Sequence, residues 1–110
     1  MTALGRVFSA LAALEDETGQ SKQAVHLGET ALRYGYLIGD VDSCAVGHFN
    51  LANYIYRSAG PPQVALAHRL AAVLIALQSG SGHLDHWLSA LSLHTANVQP
   101  ANSGLALEFP

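Results

Sequence analysis

Charged residues are scarce in this chain. Asp, Glu, Lys and Arg make up 12% of its 110 residues, against 50% for the apolar types. That balance excludes intrinsic disorder, which needs low hydrophobicity and high charge. It also points to surface that a partner covers. The five basic residues, Arg6, Lys22, Arg33, Arg57 and Arg69, are scattered through a chain of net charge −3. No stripe of cations exists to neutralise phosphates, so no nucleic-acid partner is expected. The same count opposes a role on an anionic membrane surface. Cysteine occurs once, as Cys44. An internal disulfide is therefore impossible, and a reducing compartment, the cytoplasm, is the expected location. Its plain role is that of a small apolar residue on a helix. No apolar run reaches the about 20 residues that span a bilayer. The longest candidate, from Ala65 to Leu77, is interrupted by His68 and Arg69. Val7 to Leu14, after Arg6, has the outline of a weak signal-peptide core. An internal repeat runs straight through it, which opposes cleavage there.

The apolar half of the sequence leans on Ala and Leu, both strong helix formers, and not on β-branched types. A self-match at one constant offset organises it: Gly19, Ala24 and Ala31 recur as Gly60, Ala65 and Ala72. The same offset takes Phe8 to Phe49, Leu14 to Ile55 and Leu32 to Val73. Each unit reads as helix, tight turn, helix. The Gly supplies a left-handed residue at the end of the first helix. The two Ala lie on one stripe of the second helix, where small side chains let helices approach. Ala24, Ala31, Ala65 and Ala72 are therefore expected to be buried where helices cross.

The elements follow. A first helix is expected over Ala3 to Glu17 and a second over Ser21 to Leu37, with Ser21 as N-cap. Gly39-Asp40 marks a turn, and Asp40 or Asp42 caps a third helix over Val41 to Ser58. Pro61-Pro62 opens a fourth helix, where a missing N–H costs least, and it ends near Gln78. Ser79 to Gly82 is a flexible joint. A fifth helix covers His83 to His94. The repeat domain thus occupies residues 1–96, and an irregular tail residues 97–110.

The run Asn50-Leu51-Ala52-Asn53-Tyr54, followed by Gly60, Ala65 and Ala72, resembles a tetratricopeptide repeat. Leu11 to Leu14, with Gly19, Ala24, Ala31 and Leu32, resembles another. The 41-residue period is longer than the usual one of about 34 and is similar to long-helix variants in large bacterial proteins. The pattern breaks at Asn97 to Pro100, as in a degenerate or truncated copy. The resemblance implies an all-α fold: a short α-solenoid of two antiparallel helix pairs plus a fifth helix. It implies a protein–protein interaction module, with a peptide or protein segment held in a concave groove lined by the first helix of each pair. The family's groove positions fall on Glu15, Asp16, Phe49, Asn53, Tyr56 and Arg57. Its carboxylate clamp needs several basic residues and only Arg57 is present, so a peptide C-terminus is not the expected ligand.

No enzyme is expected, and no cofactor. The phosphate loop, the nucleophile elbow and the paired-His zinc helix are all missing. His83 and His86 share a helical face and could meet one ion, but zinc wants three or four ligands and none other is spaced for it. His26 and His68 hold nearly matching places in the repeat. Tyr54 is expected to pack between helices, while Tyr56 suits either packing or a binding surface. Leu84, Trp87, Leu88 and Leu91 give the fifth helix an apolar set with no sixth helix to cover it. That set is a candidate end face for self-association, or for Leu105, Leu107 and Phe109 of the tail to cap. A structural or oligomerisation role, or that of a fragment of a larger regulatory repeat protein, is the alternative to groove binding.

Overall fold

The computed structural model describes residues 3–98, with side chains as far as Leu93. Five helices follow one another: α1 (Ala3–Glu17), α2 (Ser21–Ile38), α3 (Val41–Arg57), α4 (Pro62–Ser79) and α5 (Leu84–Val98). No strand occurs among the described residues. Each helix packs against the next in sequence, so α3 lies between α2 and α4.

Four turns set the helix lengths, and all four close in the same way. A residue in the left-handed conformation ends each helix: Gly19 (φ 86°), Gly39 (φ 69°), Ala59 (φ 58°) and Gly80 (φ 70°). The next N–H then reaches back to a carbonyl five residues earlier: Gln20 to Glu15, Asp40 to Gly35, Gly60 to Ile55 and Ser81 to Ala76. This is the Schellman closure, which satisfies carbonyls that a helix end leaves open. At the other ends, Asp40 caps α3 by accepting from the Ser43 N–H at 3.1 Å. Pro62 is the first residue of α4, as its missing donor allows. Ser21 is not a cap. Gln20 holds that position without a side-chain bond, and Ser21 Oγ donates instead to Asp16 at 3.0 Å.

The turn residues also correct the repeat. Ala59, not Gly60, takes the left-handed position that Gly19 holds in the first unit. The step from Gly19 to Ala59 is one residue shorter than the step from Gly39 to Gly80. First helices therefore correspond at the shorter step and second helices at the longer one, because the turn through Gly60 and Pro61 contains one residue more. Burial agrees. Ala12 and Ala52, related by the shorter step, are 1% and 0% exposed, whereas Leu14 and Ile55, related by the longer, are 55% and 6%. The Phe8–Phe49 and Leu14–Ile55 correspondences thus do not hold in three dimensions. Those of the second helices do: Ala24, Ala31, Ala65 and Ala72 are all buried, as are Leu32 and Val73.

Two apolar clusters form the core. One joins Ala12, Ala24, Leu32, Leu51, Tyr54, Ile55 and Ala65, and the other joins Ala45, Ala72, Val73, Ala76 and Trp87. Small residues let α2 and α3 come close: Gly28 faces Leu51 and Tyr54, Gly35 faces Cys44, and Gly47 faces Leu32. The fifth helix runs on to Val98, past the expected end at His94 and through Asn97. Residues 99–110, including Leu105, Leu107 and Phe109, lie outside the described residues.

Candidate functional site

The six groove positions separate into three groups. Asp16 and Arg57 meet each other. The Arg57 guanidinium donates from Nε to Asp16 Oδ1 at 2.9 Å and from Nη2 to Oδ2 at 2.5 Å. This two-pronged match of planar groups fixes orientation as well as distance. It joins the C-terminal ends of α1 and α3. The bonds from Arg57, with that of Ser21, hold the Asp16 carboxyl below its ordinary pKa, against the opposing effect of burial.

Phe49 and Asn53 form the second group. Their partners are inside the molecule. Arg69 of α4 is only 9% exposed. Its Nη2 donates to Asn53 Oδ1 at 2.8 Å, and its guanidinium carbon lies 5.8 Å from the centre of the Phe49 ring. Phe49 also stacks on Trp87 of α5 at 5.3 Å. Glu15 and Tyr56 make the third group. Glu15 is partly exposed, and Tyr56 is 55% exposed beside Arg57. Tyr54 is buried, and its ring carries the Arg57 guanidinium 5.9 Å above it.

On α5, Leu84, Trp87 and Leu91 turn toward α3 and α4, with Trp87 only 3% exposed. The three fall on one helical face by their spacing of three and four residues. Leu88 lies off that face and is 44% exposed. The end face expected from the sequence is thus divided, its largest member being part of the core. His83 and His86 are engaged in aromatic contacts, with Trp87 at 4.9 Å and Phe49 at 5.7 Å. Among the described residues, no group of three His, Cys, Asp or Glu converges as a metal site would require.

One polar chain has no forewarning in the sequence pattern. Tyr36 Oη lies 2.7 Å from His48 Nε2, and His48 Nδ1 lies 2.9 Å from His68 Nδ1. One consistent arrangement has Tyr36 donating to His48 and His48 donating to His68, with both rings neutral. Burial lowers the pKa of His48 to about 4, and the neighbouring His68 adds to the effect. His68 is lowered by burial, partly offset by Glu29. The chain ties α2, α3 and α4 together.

His68 also lines a cleft of about 310 Å³ between α2 and α4, floored by Leu51 and Ile55 of α3, with Glu29 and Lys22 at its wall. None of the six groove positions lines it.

Comparison with protein-family models, curated proteins and solved structures gives no match. Among the described residues, no helix is long and apolar enough to cross a membrane.

Proposed function

We propose that this chain is a protein-interaction module of the tetratricopeptide type. Its helix pairs stack as a short solenoid, and its first helices form a face that holds an extended peptide. The carrying observation is the Asp16–Arg57 pair, which brings the C-terminal ends of α1 and α3 together. The Phe49–Trp87 stack, a contact between α3 and α5, supports the same reading. On such a face Tyr56 is the anchoring side chain. It is large, amphipathic and exposed, with a cation next to it, and aromatic and Arg residues dominate binding energy at interfaces. Glu15 gives that face an acidic group suited to a peptide with a basic residue, Asp16 being already paired with Arg57. Phe49 and Asn53 support the face from below through Arg69 and do not contact the peptide.

The test is a selection of peptides from a displayed random library on the full chain, followed by affinity measurements with Tyr56→Ala. Loss of a buried aromatic contact should weaken binding about tenfold or more, with unchanged helical circular dichroism. Selected peptides that bind the variant as well as the parent would place the binding face elsewhere.

A further inference from the structure

The cleft between α2 and α4 has opposite charges at its two ends and apolar side chains between them. Lys22 and Glu29 both line it from α2. They stand seven residues apart, so they share a helical face and are separated by two turns, about 10 Å along the axis. The Lys22 end is also that of Ser58, and these two residues share a second, neighbouring hollow. At the other end Gly28, next to Glu29, meets Leu51, and the Glu29 charge acts on His68. Val25, Ile55 and Val64 line the stretch between. Neither charge is neutralised within the molecule. Among the described residues Lys22 has no ion pair, and Glu29 has only His26, whose Nδ1 lies 3.8 Å away, beyond hydrogen-bond length. His68 is held in one orientation. Its Nδ1 faces His48 at 2.9 Å. With Tyr36 donating to His48 and His48 to His68, the proton of the His68 ring sits on Nε2, the nitrogen left to donate.

We propose that this cleft binds a short apolar peptide in extended form, about three residues long, with both of its termini free. The terminal ammonium meets Glu29, the first carbonyl accepts from His68 Nε2–H, and the terminal carboxylate meets Lys22. An extended chain advances about 3.3–3.6 Å per residue, so about three residues match the two turns between Lys22 and Glu29. The central side chain rests on Val25, Ile55 and Val64. A volume of about 310 Å³ is near the lower bound of small-molecule sites. It suits a few residues of extended chain and is too small for a helix. A fatty acid would satisfy Lys22 alone, and an apolar amine would satisfy Glu29 alone. The site shares no residue with the Tyr56 face, and the proposal stands without that reading.

The probe is the tripeptide alanyl-leucyl-alanine, titrated into the isotope-labelled full chain and followed by amide chemical shifts. Saturable shifts should centre on Val25, Ile55 and Val64. Acetylating the amino end or amidating the carboxyl end should each weaken binding about tenfold, as loss of one hydrogen bond to a charged group does. Glu29→Gln should weaken the free peptide by the same factor and leave the acetylated one unchanged. Lys22→Met should do likewise for the free and the amidated peptides. Octanoate, which has the carboxylate and an apolar body but no ammonium, should bind about tenfold more weakly than the peptide. No saturable shift in the parent chain overturns the proposal, as do shifts that centre on Tyr56. Blocked peptides that bind as tightly as the free one overturn it too. So does a variant that weakens free and blocked forms equally, because it would then act through the fold and not through that terminus. Octanoate binding as tightly as the peptide would make this a fatty-acid site and overturn it.

Discussion

Gly28 is where the packing can be tested most directly. It lies inside α2, where Gly costs about 1 kcal/mol relative to Ala. A Cβ built there would sit 3.3 Å from Leu51 Cδ1, 3.3 Å from Tyr54 Cδ2 and 3.4 Å from Tyr54 Cε2. Carbon atoms prefer about 3.5–4.0 Å, so Ala would press both neighbours back by a few tenths of an ångström. Leu51 and Tyr54 are 1% and 5% exposed and have little room to yield. The gain in helix propensity and the crowding are of similar size, and Gly28→Ala should stay within about 1 kcal/mol of the parent. Gly28→Leu adds three more carbons to a closed crossing and should cost about 1–3 kcal/mol. In a domain of this size, 1 kcal/mol is a shift of about 4–8 °C in Tm. Thermal unfolding followed by helical circular dichroism would therefore place Gly28→Leu about 4–24 °C below the parent. Gly82, which has no atom within 4 Å of its added Cβ, provides the control, and Gly82→Ala should leave Tm unchanged. If Gly28→Leu melts with the parent, α2 and α3 do not cross closely at this point and the assigned faces of both helices are wrong.

Ala65, fully buried in the same cluster, should respond likewise: Ala65→Leu should lower stability by about 1–3 kcal/mol in chemical denaturation, and an unchanged midpoint would refute the register of the second helices. Acid should also destabilise the fold. His48 and His68 titrate lower in the folded chain than in the unfolded one, so the unfolded state takes up protons first as the pH falls. Stability is complete above pH about 6.5, the ordinary His value. It declines from there toward the folded pKa of His48 at about 4. Denaturant midpoints measured across that interval should fall with pH, and His48→Asn should flatten the slope; an unchanged slope would remove His48 from the cause.

The boundaries of the first four helices are largely legible because their signals are local, whereas the end of α5 is not. Asp40 before a helical run, Gly39 behind one and Pro62 at the start of another each act within one turn of backbone. The small Ala residues were legible for a related reason. Their spacing is fixed on a single helix, and the helix that approaches them is the next in sequence. The first-helix register was not legible. The sequence points to Gly19 and Gly60 for the left-handed turns, but Ala59 takes the second. The strain of that conformation for a side chain with Cβ gives no sequence mark. One residue of error then displaced every first-helix comparison by about 100° around its helix. The Tyr36–His48–His68 chain was hidden for another reason. Its members sit on three helices, 12 and 20 residues apart, and nothing local announces a contact of that kind. The Asp16–Arg57 contact was half visible. Both residues stood among the expected groove positions, but that each would satisfy the other was not.

The same register shows how one slot is filled in two ways. Second helices correspond at the step from Gly39 to Gly80, so Gly28 of α2 matches Arg69 of α4. At Gly28 the first helix that follows enters the slot, with Leu51 and Tyr54 against the bare backbone. At Arg69 a long side chain occupies it from within and turns back to Asn53 and Phe49 of the helix before. Gly28 thus admits the helix after it, whereas Arg69 turns to the helix before it. This also explains the fate of the scarce cations. Arg57 binds α3 to α1, and Arg69 binds α4 to α3, so two of the five basic residues act as ties between helices. A buried guanidinium held by an amide oxygen and an aromatic face is costly to separate from them, because the charge would then be left without compensation. Phe49 and Asn53 are therefore fixed from behind. On the proposed reading, that backing is the platform from which the neighbouring Tyr56 would engage a peptide.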